Sequence, residues 1–582
     1  MRSALAVTLL VALTGCVTAR PVAGPVAPVE VKIIAINDFH GALEPPRASI
    51  SATTTDGATV PVPAGGAAHL ATAVARLREG HPNTITVAAG DLTGASPFAS
   101  SQFLDEPTVL AMNRIGLELN AVGNHEFDRG PEELTRLQNG GCARHTARPP
   151  CRLDRDFPGA RFRYLAANVR TASGGKLFPA THVRRFGEGG RAVSVGFIGL
   201  TLKETPTLVV PSVVAGLRFD DEAATVNALV PKLRAEGADA VVVLIHQGMT
   251  TKVGYNDKSC QGVSGDLLPI LARLDPGVDL VVSGHTHSAY VCDYAAIDPA
   301  RPFLLTSAGR NGMLVSDITL AIDPATRRVV SRRADNVIVQ GSGYTGAAGI
   351  VPVNPAFPVF PADPQVSSLV SRYVAAAAPV ARRVVGRLSS ALLREWNSSG
   401  ESPLGSLVAD AQLKATGARI AFMNSGGLRA DLVPSADGSV TYGQLYAVQP
   451  FGNVLQVKGM TGAQIRSVLE QQFASGSNTA EKPNMLQVSR GFAFSYDLTR
   501  PAGQRIVSVT LDARPLEEAR VYRVAVSNFL ATGGDNFTAF EAGTDLGGNT
   551  EDLDALEAWF AGGAPVTPPP AGRITRLDSP PG

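Results

Sequence analysis

Between about residues 31 and 339 the chain alternates two hydrophobic periodicities. Short apolar runs rich in Val, Ile and Leu at 31–36, 84–88, 192–200, 240–245, 280–283, 303–307 and 314–320 predict strands. Segments 67–78, 108–115, 131–137, 221–235 and 265–274 carry apolar residues at helical spacing. Strand and helix alternating in this way imply an α/β fold of layers, with sheets packed between helices. Residues at the C-terminal ends of such strands converge on one crevice edge, where open α/β sheets bind ligands.

The pattern lapses from 340 to about 362, where Gly and Pro dominate and a domain boundary is expected. Gly341-Ser342-Gly343-Tyr344-Thr345-Gly346 fits the spacing of a dinucleotide-binding turn, but Ile350-Val351-Pro352 follows where a helix must open, so it is read as loop. Asp363-Pro364 starts a helix, with Asp as cap and Pro in the first turn. Val366, Leu369, Val370, Tyr373 and Val374 keep helical spacing until Pro379, which is expected to break or kink it. Residues 340–383 are thus linker and connecting helix. A second, α+β domain follows at 384–578, with helices at 406–416 and 462–473.

Candidate chemistry sits at the ends of the predicted strands. Asn37-Asp38-Phe39-His40-Gly41 closes the first run and Gly90-Asp91 the second. Gly123-Asn124-His125-Glu126-Phe127-Asp128 follows the short apolar stretch 117–122. Leu244-Ile245-His246-Gln247-Gly248 and Gly284-His285-Thr286-His287 close two more runs. Aspartate, asparagine and histidine are the hard and borderline ligands of divalent metals. Asp38 and His40 stand two apart on a segment read as extended, which points both side chains to one side; His285 and His287 repeat the arrangement. Asp91, alone after a glycine, suits a bridging carboxylate, and Asn124 adds a neutral oxygen. Asp38, His40, Asp91, Asn124, His246, His285 and His287 together suit two metals that activate water and clamp a phosphoryl group. Each motif alone has an ordinary reading, a satisfied core histidine or a turn. Their succession after strands points to a metal site. His69, His81, His145 and His182 lack such context and are read as structural.

Composition narrows the class. At 582 residues the chain exceeds one ordinary core. Its 45% hydrophobic and 18% charged residues are those of a globular protein, and 52 basic against 51 acidic side chains leave a net charge of +1. That balance gives no electrostatic case for a nucleic-acid polymer as partner. At the N-terminus Arg2 precedes the apolar segment 4–13, too short to span a bilayer and of signal-peptide proportions. Leu13-Thr14-Gly15-Cys16 resembles a bacterial lipobox, so residues 1–15 are expected to be removed and Cys16 lipidated, with 16–29 as a Pro-rich tether. Val17 after the cysteine favours the outer membrane, and contact with membrane is expected through the lipid alone. Four cysteines remain, and an exported chain pairs them. Cys142 with Cys151 closes a short loop, and Cys260 with Cys292 brackets the Gly-His-Thr-His motif.

With these motifs in this order the chain resembles the calcineurin-like metallophosphoesterases and, through residues 36–41 and 123–128, more narrowly the 5′-nucleotidase family. The resemblance implies a four-layer α/β/β/α sandwich at 30–339, the connecting helix, and an α+β nucleotide-binding domain. It implies one metal on Asp38, His40, Asp91 and His287 and a second on Asp91, Asn124, His246 and His285, the ions being zinc, manganese or iron. His125, oriented by Asp128, is implied to stabilise charge on the phosphoryl oxygens or the leaving group, as a histidine with a carboxylate partner can.

In the second domain, Asn424-Ser425-Gly426-Gly427-Leu428-Arg429 sets an amide beside a guanidinium, whose planar fork suits phosphate. Phe451 in Pro450-Phe451-Gly452-Asn453 and Phe529 in the stretch 528–535 each stand near glycines, as rings that sandwich a nucleobase would. By the same resemblance Phe451 and Phe529 stack on the base, Asn424 and Asn453 lie near it, Asp535 holds the ribose, and Arg429 with Arg394 meets phosphate. The expected activity is release of phosphate from nucleoside 5′-phosphates by a metal-activated hydroxide, with no obligate protein partner. The alternatives are a 2′,3′-cyclic-nucleotide phosphodiesterase with 3′-nucleotidase activity, a UDP-sugar hydrolase, or a nucleotide-binding surface lipoprotein without turnover. Rotation of the two domains about the connecting helix near Tyr373 is implied as well.

Overall fold

Residues 27–346 and 349–578 are described in the computed structural model of this chain. The expected leader, Cys16 and most of the expected tether lie outside them.

Two six-stranded sheets form the first domain. One runs, edge to edge, Arg328–Ile338, Leu314–Asp323, Val29–Ile36, Thr84–Ala88, Leu119–Ala121, Arg163–Leu165. Its last four strands are parallel and its first two antiparallel. The other runs Ala289–Asp293, Leu304–Ala308, Leu280–Ser283, Ala240–His246, Val193–Thr201, Thr181–Phe186, parallel at the centre and antiparallel at both edges.

Successive side chains of a strand point to opposite faces, so each central strand feeds two cores. Val31, Ile33 and Ala35 meet Val195, Phe197, Val242 and Leu244 between the sheets. Ile34 and Ile36 turn outward to Leu70, Val74 and Val109 on the helices Ala67–Arg78 and Glu106–Ile115. Val241, Val243 and Ile245 turn the other way, to Val226 and Val230 on the helix Glu222–Ala235. The layers are helix, sheet, sheet, helix, as expected. Burial on both faces is why these strands read as unbroken apolar runs, each fully buried Val, Ile or Leu contributing about 1.5–3 kcal/mol.

Register sets the strand ends at one level. Ile36 pairs with Ala88 in one sheet, and Ile245 with both Leu200 and Ser283 in the other. His246 Nδ1 donates to Ala89 O at 2.8 Å and ties the two ends together. The helix expected at 265–274 is shorter, Leu267–Leu271, with turns to either side; Asp275-Pro276 cannot continue it.

The connecting helix spans Pro364–Ala381, and the Asp363 side chain accepts from the backbone of Gln365 and Val366. Pro379 does not break it. It falls in the last turn, where one lost hydrogen bond matters little. Tyr373 is fully buried, its ring 4.9 Å from that of Phe103 and its hydroxyl 2.6 Å from Asp154 Oδ2. The helix is therefore fastened to the first domain at Tyr373, and a pivot there would break both contacts.

The second domain centres on a sheet ordered Leu486–Val488, Ile420–Asn424, Val521–Ser527, Val454–Thr461, with short strands beyond. Its helices Pro403–Thr416 and Gly462–Gln471 match the expected ones to within three residues at either end, the second opened by a Thr461–Gln464 capping box. Tyr344–Gly346 pairs with Gly349–Val351 as a short hairpin, so the glycine-rich stretch opens no helix. Cys142–Cys151 and Cys260–Cys292 are both disulfide-bonded, with Cα atoms 5.6 and 5.1 Å apart. Among the described residues no helix is long and apolar enough to cross a membrane.

Candidate metal centre

Loops leaving the strand ends carry the expected ligands, and they are bound to one another through backbone. Asp38 N donates to Gly90 O, His40 N to Asp91 O and Gly41 N to Leu92 O, each at 3.0 Å. The side chains gather in two adjoining groups. Asp38, His40 and His287 form one and Asp91, His246 and His285 the other, with candidate ligand atoms in each within 4.8 Å of one another. Asp91 Oδ2 lies 2.9 Å from His246 Nε2 and 3.8 Å from His40 Nε2, so one carboxylate reaches both groups. Asn124 stands between Gly123 and His125, which both abut the Asp91 carboxylate, and its buried Oδ1 has no hydrogen-bond partner.

Extended segments do not bring these side chains together. Asp38, His40, Asp91, His285 and His287 have φ of 49°, 47°, 52°, 69° and 58°, all in the left-handed region. Non-glycine residues there are strained by roughly 1–3 kcal/mol each. His285 and His287 accordingly do not share one side: His285 joins the Asp91 group and His287 the Asp38 group. Gly123 is required by contact, since a Cβ on it would meet Asp91 Oδ1 at 2.2 Å.

The donor set fits a pair of borderline divalent ions. His40 Nδ1 donates to Gly94 O at 3.0 Å and His246 Nδ1 to Ala89 O, which leaves each Nε2 a lone pair turned into the cluster. His246 Nε2 is buried 2.9 Å from Asp91 Oδ2 without hydrogen-bond alignment. A lone pair facing a carboxylate oxygen is satisfied by a proton or a cation. With no metal a proton serves: burial disfavours it, but Asp91 outweighs burial and pushes His246 up to about 10. Burial, then the neighbouring His246 cation, pushes His285 down to about 3. Burial foremost holds His40 well below the usual histidine range and lowers His287. Burial would raise Asp38, but the hydrogen bond and charge of His287 bring it to about 2. Three imidazoles are neutral and Asp38 is ionised at neutral pH, the forms that bind metal.

Two residues of this centre were quoted in motifs but given no role by sequence. Glu126 is buried and accepts from the backbone of Asp91 (2.8 Å), Leu92 (2.8 Å), Thr93 (3.3 Å) and Gly123 (2.7 Å), locking the two ligand loops together. Burial and the Asp91 charge push it up to about 7, against the His246 charge and the Gly123 and Asp91 amides. Asn37 joins the two sheets, donating to Gly309 O and accepting from Ala308 N, both at 2.7 Å. Neither is a metal ligand, so ligand chemistry alone did not single them out.

His125 and Asp128 meet as expected, Nδ1 lying 3.0 Å from both carboxylate oxygens. Burial would lower His125, but Asp128 and Asp91 outweigh it and raise it. The second domain reaches this point. The ring of Phe451 stacks on His125 at 5.6 Å and 20°, and the Arg429 guanidinium lies 5.8 Å over Phe451. Arg394 lies beside Asp431, Nε 3.9 Å from Oδ1. Asn424 Nδ2 donates to Asp535 Oδ2 at 2.8 Å. Phe529 is 8% exposed and packs in the core of the second domain, with Gly534 so close that a Cβ would lie 2.5 Å from the ring. Asn453 Nδ2 donates to buried Asp552 Oδ2 at 3.2 Å. His69, read as structural, is satisfied by Phe360 O at 2.7 Å.

A four-layer sandwich with two ligand groups at its strand ends defines a metallophosphoesterase. The chain matches the calcineurin-like phosphoesterase family over residues 31–289 and the 5′-nucleotidase C-terminal domain over 384–542. It is 31% identical over 566 residues to the cell wall protein Lmo0130 of Listeria monocytogenes, spanning 92% of this chain and 67% of that one. It is 27% identical over 505 residues to the endonuclease YhcR of Bacillus subtilis, 87% of this chain and 37% of that one. The 5′-nucleotidase precursor of Thermus thermophilus is a solved structure with 26% identity and a TM-score of 0.72, covering 95% of this chain and 100% of that one. The chain belongs to the 5′-nucleotidase family and is a hydrolase of phosphoric esters.

Metal counting by mass spectrometry tests the sharing of Asp91. The expected content is about two divalent ions per wild-type chain, about one in His287→Ala, and less than about one in Asp91→Ala. An Asp91→Ala protein that holds as much metal as His287→Ala would show that the carboxylate is not shared.

Proposed function

We propose that this chain hydrolyses nucleoside 5′-phosphates to nucleoside and phosphate at a pair of divalent ions. The observation that carries the proposal is the meeting of two domains on one point: Phe451 of the second domain, with Arg429 over its ring, lies against His125, which borders the ligand cluster of the first. Asp38, His40, Asp91 and His287 would hold one ion, and Asp91, Asn124, His246 and His285 the other. When bound, the ions supply Lewis acidity toward the phosphoryl oxygens and a water of lowered pKa.

The chain's own residues supply the rest. Asp128 holds His125 in its protonated form, and Nε2 then donates to a phosphoryl oxygen or to the oxygen that leaves. Arg429 adds a planar pair of donors. Phe451 offers a flat face to the base, and Asp535 an acceptor to the ribose hydroxyls. Water supplies the oxygen that phosphorus gains, and the P–O bond to the nucleoside breaks as its oxygen takes a proton.

We assign the protein to the cell envelope, held by lipid at Cys16. Two disulfides suit an oxidising compartment, and the Listeria relative is by name a cell wall protein. Radiolabelled palmitate should enter the wild type and be absent from Cys16→Ser; equal label in both proteins sinks the anchor.

Phe451→Ala should lower kcat/KM for AMP by about 10- to 100-fold, as loss of base stacking does, and leave p-nitrophenyl phosphate within about threefold. Equal losses on both substrates would remove the base-stacking role.

Asp535 yields a pH test. Burial pushes its carboxyl up to about 6, although hydrogen bonds from Asn424 and Asn484 oppose the shift. A raised value means the folded protein keeps this proton until the pH passes about 6, so the stability it contributes is present below about 3.8 and is lost as the pH rises from there to about 6. The ionised form accepts from ribose with both oxygens and more strongly than the neutral acid. The ratio of KM for AMP to KM for p-nitrophenyl phosphate should therefore rise as pH falls from 7 to 5, and Asp535→Asn should flatten that rise. A wild-type ratio independent of pH would exclude Asp535 from the pocket.

A further inference from the structure

At the end of the first domain away from the metal centre lies a cavity of about 640 Å³ walled by four arginines. Asp239 precedes the strand Ala240–His246 and Asp279 the strand Leu280–Ser283, so strand length sets the cavity roughly 20–25 Å from the ligand cluster. Both carboxylates are buried and belong to the cavity lining. Asp239 Oδ2 accepts from Ser194 N at 2.7 Å, and Asp279 Oδ2 from Val241 N at 2.9 Å. They also fix three guanidinium groups. Arg327 Nε lies 2.7 Å from Asp239 Oδ1, Arg234 Nη2 2.8 Å from Asp279 Oδ2, and Arg332 Nη2 2.9 Å from Asp279 Oδ1. The fourth, Arg328, is exposed and among the described residues meets no carboxylate.

Four cations against two anions leave positive charge over. A guanidinium has five N–H donors. Arg234 places three of them, on Ala238 O, Gly277 O and Asp279 Oδ2. Arg327 places two, on Ala192 O and Asp239, and Arg332 two, on Asp279 O and Oδ1. Each keeps at least two donors, and Arg328 keeps all five. Planar forks held in place by buried carboxylates, with donors to spare, suit a phosphate group.

The position of the cavity selects the source of that phosphate. The chain enters the first domain beside it: Val29 pairs with Ile322, and Asp323 with Arg328. Arg191 Nη2 donates to Ala27 O at 3.1 Å and Arg327 Nη1 to Ala192 O at 2.8 Å, so two neighbouring residues join Ala27 to the cavity wall. Residues 17–26 separate Ala27 from Cys16 and reach at most about 40 Å when fully extended. A domain of about 300 residues is about 50 Å across. A lipid on Cys16 therefore keeps the cavity end of the domain toward the bilayer.

We infer that the arginine cavity binds the phosphodiester headgroup of an anionic lipid, which docks this end of the first domain on the membrane and turns the metal centre to the aqueous side. The inference rests on the Cys16 anchor proposed above, and it adds protein side chains to a membrane contact expected through lipid alone.

The test is co-sedimentation of the full chain carrying Cys16→Ser with vesicles of phosphatidylcholine alone, or of phosphatidylcholine and phosphatidylglycerol in equal parts. Residues 1–26 are otherwise common to every protein compared, so their contribution cancels. This protein should bind the mixed vesicles at least about 20-fold more tightly than the neutral ones, a basic side chain at an anionic surface being worth about fivefold. Arg328→Ala, which breaks no carboxylate contact, should lose about fivefold on the mixed vesicles, and Arg327→Ala with Arg328→Ala about 10- to 25-fold. Arg419→Ala with Arg520→Ala removes the same charge from the exposed surface of the second domain. That control should stay within about twofold, because charges beyond a Debye length from the surface are screened. Hydrolysis of p-nitrophenyl phosphate in solution should be unchanged throughout, which shows that the variants are folded. Equal binding to the two kinds of vesicle, no loss in Arg328→Ala, or an equal loss in the control overturns the inference. The palmitate label decides the anchor separately: an unlabelled Cys16 together with arginine-dependent binding removes the anchor alone and upholds the docking site.

Discussion

Asp91 is 1% exposed at the point where every part of the centre meets. Its amide donates to Glu126, its Oδ1 accepts from His125 N at 2.9 Å, and its Oδ2 faces His246 and His40. A second carboxylate, Asp38, is buried in the adjoining group. Two buried negative charges in one cluster are unfavourable unless positive charge is fixed beside them. A proton on His246 supplies one unit, and divalent ions in place of that proton would supply more. The first domain is organised around this demand. Its two sheets end at one level, so loops from both deliver ligands to a common point, and His246 with Ala89 joins those ends.

Such a cluster also carries backbone strain. Five of the seven expected ligands sit in left-handed conformations, which isolated loops would relax. Here they cannot relax. The loops bond backbone to backbone, Glu126 binds four amides from two of them, and Asn37 ties a third to the opposite sheet. Behind the loops stand cores filled on both faces of each sheet. Rigid layers with strained loops at their edge hold ligands in place before any ion arrives, so little ordering remains for metal binding to accomplish.

The layers were legible because a strand buried on both faces leaves an unbroken apolar run, and the motif after each run could be read as its end. Thr84–Ala88 and Leu280–Ser283 coincide with the expected segments for this reason. The loops were legible in content but not in conformation. Asp38 and His40 stand two apart whether the chain is extended or turned, and spacing alone does not report a positive φ. The separation of His285 from His287 follows from that turn. In the second domain a phenylalanine beside glycines is ambiguous for the same cause. Glycine lets a base approach a ring, and equally lets the chain's own backbone do so, as Gly534 does on Phe529. Glu126 needed the tertiary structure, because three of the four amides it accepts from are distant in sequence.

The contact of Phe451 with His125 bears on how a substrate arrives. A base that stacks on the face of Phe451 turned to His125 must displace the imidazole from it. Phe451 follows the helix Tyr442–Val448, whose Tyr446 hydroxyl meets Ser101 of the first domain and donates to Pro450 O at 2.9 Å. Phe98 packs edge-on against Tyr442 and Tyr446 at 5.5 and 5.0 Å. The ring is thus held by a few hydrogen bonds and aromatic edges, each worth about 0.5–1.5 kcal/mol. In the proposed complex a stacked base would return about 1–3 kcal/mol. Because a ligand can shift a conformational equilibrium only by its differential affinity, contacts of this small size are ones that the proposed substrate could offset in parting Phe451 from His125. Tyr373, buried and bonded to Asp154, keeps the connecting helix on the first domain while it does so.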